Sequence, residues 1–347
     1  MNVTGPTNPE GFVKPADFFR RDAQTPLQRR FLAAGAVCTL HTNWEPILEA
    51  ARQSFLPLQS DACDTDFSVR LWVDSQSSSQ RPWPKPFVRG LDHLVFASFD
   101  SDSSMLVDLR KRRVAGRFSA SMAADGDYWQ AVIFPMLMSI VAASVGIVEL
   151  HCACVVRNNK GYLLAGPSRS GKSTLVMALA RAGFAFLSDD RTFCSASKEG
   201  LSAWGIAPSV KLRHEAQIWF DELAQREPTD VQGGESILRF NPESELGLTR
   251  AKCCEPEGLI FLDRRDLDQG EGPQFCLRAM SPRDAAQHLD QELMAEPPGL
   301  IENQRKVIHR LVAIPCWQLQ YWGDPGVIAP RLARHLEGVS QRVSECC

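Results

Sequence analysis

Gly166, Gly171, Lys172 and Ser173 stand in the order Gly-x-x-x-x-Gly-Lys-Ser within "GPSRSGKS". That spacing builds a phosphate cradle. The two glycines admit backbone angles and a close approach that a side chain would block. The N–H groups of Ser168, Arg169, Ser170 and Gly171 can then point inward at phosphate oxygens. "KSTLVMALARA" follows as a helix whose N-terminus, at Lys172, Ser173 and Thr174, adds partial positive charge. Lys172 supplies a point charge for the outer phosphates, and the Ser173 hydroxyl is a ligand for Mg2+.

Two carboxylates arrive soon afterwards. Asp189 and Asp190 close "FAFLSDD", one helix and one return strand beyond Lys172. If the return strand lies near the loop strand, its C-terminal end sits beside the cradle, where ligands bind in α/β sheets. One carboxylate can hold the metal while the other takes a proton from an attacking hydroxyl. A plain Ser-Asp-Asp turn is the competing explanation. His151 heads the strand that pairs into the loop hairpin, from where its imidazole can reach the aspartates. Lys211 and Arg213 in "SVKLRHE" are either phosphate clamps or a solvated strand edge. Arg169 either meets a phosphate or substrate, or is solvated.

The elements that must carry these residues follow from periodicity. "AVCTLHTN" reads as a strand and "WEPILEAARQSF" as a helix. "FSVRLWVD" alternates as a half-buried strand, and "HLVFASFD", "MLVDLR" and "RVAGRFS" are further short strands. "SQSSSQRPWPKP" is a loop by composition. Residues 1–30 read as a loosely ordered arm with a short helix near "DFFRRDA". The first third is thus expected to be a small α+β module with an antiparallel sheet, covering residues 1–125. Residues 126–347 form the second domain. It opens with an apolar helix and one strand, "VELHCACVV", then a hairpin through "RNNKG" to "YLLAG" and the cradle. "TFCSAS", "LSAWGI", "SVKLR", "GLIFLD" and "CWQLQYW" read as strands. "HEAQIWFDELA", "SPRDAAQHLDQEL" and "VIAPRLARHLEGV" read as helices, and "VQGGES" as a mobile loop.

Composition bounds the partners. The 347 residues are 44% hydrophobic and 23% charged, with a formal net charge of −3, so no electrostatic case for nucleic acid arises. The 11 cysteines contain no Cys-x-x-Cys, and reduced thiols in a cytoplasmic protein are the simplest reading. The polar start lacks the apolar core of a secretory signal. The run Ala131–Val148 is uncharged over about 18 residues, the lower edge of a membrane span. Pro135, two serines and the lack of a flanking basic cluster favour a buried helix, so no membrane partner is expected. The N-K-x-D motif of GTPases and the signature of ABC ATPases are both absent from the sequence.

His151, "LLAGPSRSGKSTL" and "SDD", with the later "GLIFLD" followed by arginines and "WQLQYW", resemble the HPr kinase/phosphorylase superfamily. The nearest likeness is to HPr-kinase-related proteins of peptide-modification gene clusters, including lasso-peptide kinases. The resemblance covers roughly residue 126 to the C-terminus. It implies an α/β P-loop kinase domain of the HPr kinase and phosphoenolpyruvate carboxykinase-like type, preceded by the small α+β domain. It implies ATP and Mg2+ as cofactors and a serine hydroxyl on a peptide or protein as acceptor. By the resemblance Ser173 and one of the aspartates, here taken as Asp190, hold the metal, while the other, Asp189, is the base, supported by His151. An exchange of the two aspartates stays open. The E-I-R-G-L-G-like element of true HPr kinases does not follow the loop, which puts HPr as substrate, and the reverse reaction, in doubt. "VRGLD" at Val88–Asp92 lies upstream and is no match.

The expected function is therefore an ATP-dependent serine kinase acting on a peptide or protein, such as a lasso-peptide precursor. The N-terminal module would help recruit that substrate. A kinase for a small-molecule hydroxyl and a nucleotide-gated sensor without transfer are the alternatives. The oligomeric state, a homo-oligomer included, is left open.

Overall fold

The computed structural model describes residues 24–59, 64–75, 79–198, 200–232, 235–265, 274–292 and 298–344. The helix expected near "DFFRRDA" lies outside them. Among these residues the fold is mixed α/β, with sheets of eight, nine and three strands.

The first sheet runs, in spatial order, Leu56–Pro57, Leu27–Ala33, Ala36–Thr42, Phe67–Asp74, Arg113–Ser119, Ser104–Asp108, Leu94–Ser98 and Phe87–Leu91. The sheet is mixed rather than wholly antiparallel as expected: five of its seven pairings are antiparallel. Ala36–Thr42 pairs parallel with Phe67–Asp74, which pairs parallel with Arg113–Ser119. The reason lies in the connections, because a parallel pair needs a long crossover. The helix Glu45–Ser54 supplies the first, and the strands between residues 87 and 108 are inserted in the second. Leu27–Ala33 also takes up part of the expected N-terminal arm.

The helical run Gly126–Val145 is apolar and long enough to cross a membrane by length and composition. Its buried side chains, among them Trp129, Phe134 and Leu137, join the core of the first sheet. Trp129 packs 4.7 Å from Phe118 and 5.2 Å from Phe134, ring to ring. Each such burial contributes about 1.5–3 kcal/mol. The run passes through a π-turn at Trp129–Ile133 just before Pro135, which has no N–H to donate, and stops at Gly146 in a left-handed conformation.

The second sheet is the scaffold of the site. Its order is Ala185–Ser188, Cys152–Arg157, Lys160–Ala165, Cys253–Arg264, Leu201–Trp204, Thr192–Ala196 and Ile147–Leu150. Cys316–Tyr321 also pairs with the long strand Cys253–Arg264 and carries Phe275–Ala279 on its outer side. Alternation along the strands sorts side chains to two faces. Ala153, Val155, Tyr162 and Leu164 face the helices Lys172–Arg181 and Pro325–Ser344. Cys152, Cys154, Leu163 and Ala165 face Pro282–Glu292 and Pro298–Leu311. The eight described cysteines are free thiols, six of them buried.

The hairpin loop expected at "RNNKG" is present, with Asn158 and Asn159 both at positive φ, as the tight hairpin turn requires. "VELHCACVV" is two strands rather than one, broken at His151. "HEAQIWFDELA" is two 3₁₀ turns rather than an α-helix, because Phe220 adopts an extended conformation between them and buries its ring. The described part of "VQGGES" is strand, with Asp230–Gln232 pairing with Glu235–Phe240 beside Val210–Arg213. The two large sheets are tied by Lys252, whose ammonium donates to the carbonyls of Arg52 and Phe55 at 2.7 and 3.2 Å.

Candidate active site

The loop 166–171 joins the strand Lys160–Ala165 to the helix Lys172–Arg181. Gly166 and Gly171 have φ of 148° and 84°, and Arg169 joins them in the left-handed region at 74°. Glycine is required twice over at position 171, where any Cβ would collide with the Tyr321 hydroxyl. That hydroxyl donates to the Ser170 carbonyl at 2.7 Å and pins the loop from a strand far along the chain. Burial pushes the Tyr321 phenol well above its usual range, so it remains a donor. Lys172 is buried, and its ammonium donates to the Gly166 carbonyl at 2.6 Å. Gly171, at the cap position, has no side chain to offer the helix's first N–H groups. The Ser170 hydroxyl is buried without a partner among the described residues. A cradle of uncapped N–H groups, a buried ammonium and an unpaired hydroxyl is built for an anion.

The aspartates are delivered by strand register. Ser188 lies opposite Cys154, and Thr192 lies opposite Leu150. The chain between them must therefore cross the break at His151. Ser188 Oγ and Thr192 Oγ1 are 2.6 Å apart, and Thr192 Oγ1 donates to the Cys152 carbonyl at 2.9 Å, which holds the turn closed. His151 Nε2 consequently sits 3.0 Å from Asp190 Oδ1. The resemblance implies His151 beside the base, with either aspartate in that role; the geometry places it beside Asp190.

The two carboxyl groups are chemically unlike. Asp189 is buried, and burial lifts its pKa to about 6, with the neighbouring Asp190 charge pushing the same way. The Lys211 backbone N–H, donating to Asp189 Oδ2 at 2.6 Å, opposes that rise. Asp190 is half-exposed, and its hydrogen bond to His151 holds its pKa down at about 2.

Loop and aspartates open on one cavity of about 650 Å³, which Ser168 to Thr174, His151, Asp189 and Asp190 all line. Lys211 and Arg213 line it too, because their strand alternates, with Val210 and Leu212 buried in the core. The sequence left their role undecided, and the strand's pleat aims both at the cavity. Burial lowers the Lys211 pKa. Arg169 is exposed and forms an ion pair with Glu235, which also meets Arg213 at 2.8 Å. Glu235 and Arg264 were not anticipated as site residues; the arginines after "GLIFLD" were a signal for the second, and nothing marked the first. No cluster of three metal-binding side chains occurs among the described residues. Ser173 and Asp190 are nonetheless hard oxygen donors of the type Mg2+ takes, and that ion completes its shell with water and phosphate oxygens.

No protein-family model and no curated protein sequence matches the chain. Among solved structures, it is similar to the Hpr(Ser) kinase/phosphatase from Coxiella burnetii, at 13% identity over 55% of this chain and 98% of that one. The TM-score is 0.32, a likeness too loose to fix fold family or chemistry.

Proposed function

We propose that this chain is an ATP- and Mg2+-dependent kinase that transfers a phosphoryl group to a serine hydroxyl of a peptide or protein. The observation that carries the reading is the shared cavity, where an anion cradle meets a buried carboxyl with a pKa of about 6. A general base works best when its pKa lies near the operating pH. Phosphoryl transfer asks the protein mainly for positioning and charge stabilisation. The loop N–H groups and Lys172 would hold the phosphate chain, the ammonium exchanging its carbonyl partners for phosphate oxygens. Ser173 and Asp190 would hold the metal, which when bound neutralises charge between the outer phosphates. Asp189 would orient the acceptor hydroxyl and take its proton. His151 would keep Asp190 ionised. Lys211 and Arg213 would meet charge on the transferred group.

The test is incubation with MgATP and serine-containing peptides, precursor peptides of the lasso type among them, read by mass spectrometry. A phosphate mass shift that disappears in Lys172→Ala is the expected result. Phosphorylation of small hydroxy compounds alone would move the protein to the other acceptor class. Nucleotide binding with no transfer to either class would defeat the proposal.

A further inference from the structure

Asp189 and Asp190 border two cavities. The second, of about 270 Å³, shares Asp189, Asp190 and Lys211 with the first and includes no residue of the glycine loop. A phosphoryl acceptor must approach roughly in line, opposite the leaving oxygen. A space that touches the carboxylates but not the cradle leaves the acceptor an approach separate from the nucleotide's.

Its walls come from both parts of the chain. Lys85 and Pro86 belong to the first sheet's unit, and Ala131 and Pro135 to the apolar helix packed on it. Arg191 and Arg239 come from the second part. Cations thus surround the carboxylate pair: Lys85, Arg191, Lys211 and Arg239. Arg191 is partly neutralised by Glu149 at 3.4 Å. Lys85 is exposed and has no hydrogen-bond or ion-pair partner among the described residues. The volume falls below the roughly 300–1,000 Å³ of ordinary ligand pockets, so it suits a short side-chain-sized group. The chain continues from Pro86 into Phe87–Leu91, the exposed outermost strand of its sheet. Its open edge offers backbone groups to an acceptor chain longer than the cavity.

We infer that this second cavity is the acceptor pocket, completed by the N-terminal unit, and that it selects a peptide hydroxyl flanked by a carboxylate. The inference rests on the kinase reading above. Its occupant is the hydroxyl-bearing residue with an acidic neighbour, whose carboxylate meets Lys85 and Arg191 while the hydroxyl faces Asp189. Opposite charge across such a rim sets partner choice more than raw affinity.

The test uses the full chain with MgATP and three degenerate serine-peptide pools, with acidic, neutral or basic flanks. Each pool is made with free and with amidated C-termini, which separates a side-chain carboxylate from a terminal one. Acidic flanks are expected to raise kcat/KM by roughly tenfold over basic ones, and Lys85→Glu to erase or invert that order. Ala131→Trp, which fills the cavity from the helix side, is expected to abolish transfer while a fluorescent ATP analogue still binds. Transfer without acidic preference, an unchanged preference in Lys85→Glu, or full transfer in Ala131→Trp would overturn the inference and leave the kinase reading standing. ATP binding with transfer to no pool would overturn both.

Discussion

Asp189→Asn separates the base from everything else in the site. The amide is nearly isosteric, and its oxygen can still accept the Lys211 N–H now 2.6 Å from Asp189 Oδ2. The helix, the cradle and Asp190 keep their contacts, so nucleotide affinity should hold. What disappears is proton acceptance, worth about 10²–10⁴-fold in rate. A second signature comes from pH. With a pKa of about 6, wild-type kcat/KM for ATP should level off above neutrality and fall about tenfold per pH unit below 6. The variant's residual rate should lack that slope. Stability should move the opposite way. The folded pKa of Asp189 is raised above its usual 3.8, so its contribution is fully present below about pH 4 and lost as pH rises through 6. Holding the buried charge above that range costs on the order of 3 kcal/mol. The amide carries no such charge, so the variant should melt higher than wild type at pH 8 and lose that advantage near pH 4. Stopped-time phosphotransfer across pH 5–8, with parallel thermal melts, measures both. A variant that keeps more than about a tenth of wild-type turnover would remove Asp189 from the base role.

Three further substitutions probe the neighbouring contacts. Lys172→Ala should weaken ATP binding by roughly 10–100-fold, the worth of a charge-assisted hydrogen bond, in a calorimetric or fluorescence titration. His151→Gln should let the Asp190 pKa climb from about 2 toward its usual value, because the lost hydrogen bond is the largest cause of the depression. Mg2+ binding, titrated beside a non-hydrolysable ATP analogue, should then weaken more at pH 4, near that usual value of 3.8, than at pH 7.5, and an equal change at both pH values would refute the coupling. Tyr321→Phe should leave the buried Ser170 carbonyl without its donor, costing about 1–3 kcal/mol in denaturant unfolding and loosening the nucleotide grip.

The cradle was legible because its residues are consecutive, so that composition and spacing describe it completely. The aspartates were legible for the same reason, one helix and one strand farther on. The opposite wall was not. Glu235 and Arg264 reach the cavity from separate strands, Tyr321 pins the loop from a third, and no local spacing links them. Only the alternation in "SVKLR" hinted that Lys211 and Arg213 share a face. In the first sheet, the alternation of Phe67, Val69, Leu71 and Val73 announces a strand and its buried face but says nothing of its neighbours' direction. The parallel pairings were therefore missed. Phe87–Leu91 was missed because it is exposed throughout and lacks an alternating pattern.

The break at His151 explains how two adjacent aspartates come to differ. Had "VELHCACVV" been one straight strand, position 151 would sit within the ladder, held by strand neighbours on both sides. Instead the chain leaves the partner strand Thr192–Ala196 at Leu150 and takes up Ala185–Ser188 and Lys160–Ala165 from Cys152 onward. The Asp189-Asp190 turn spans that same gap, so an imidazole and one carboxylate meet at its mouth while the other carboxylate is drawn inside against Lys211. One side chain is thereby kept charged and half-exposed, suited to a cation. Its neighbour is buried, with a pKa of about 6, suited to a proton. A single irregularity in strand pairing thus separates the two chemistries without any further residue. For that reason the His151→Gln and Asp189→Asn effects should be distinct, one appearing in metal dependence and the other in the pH profile of transfer.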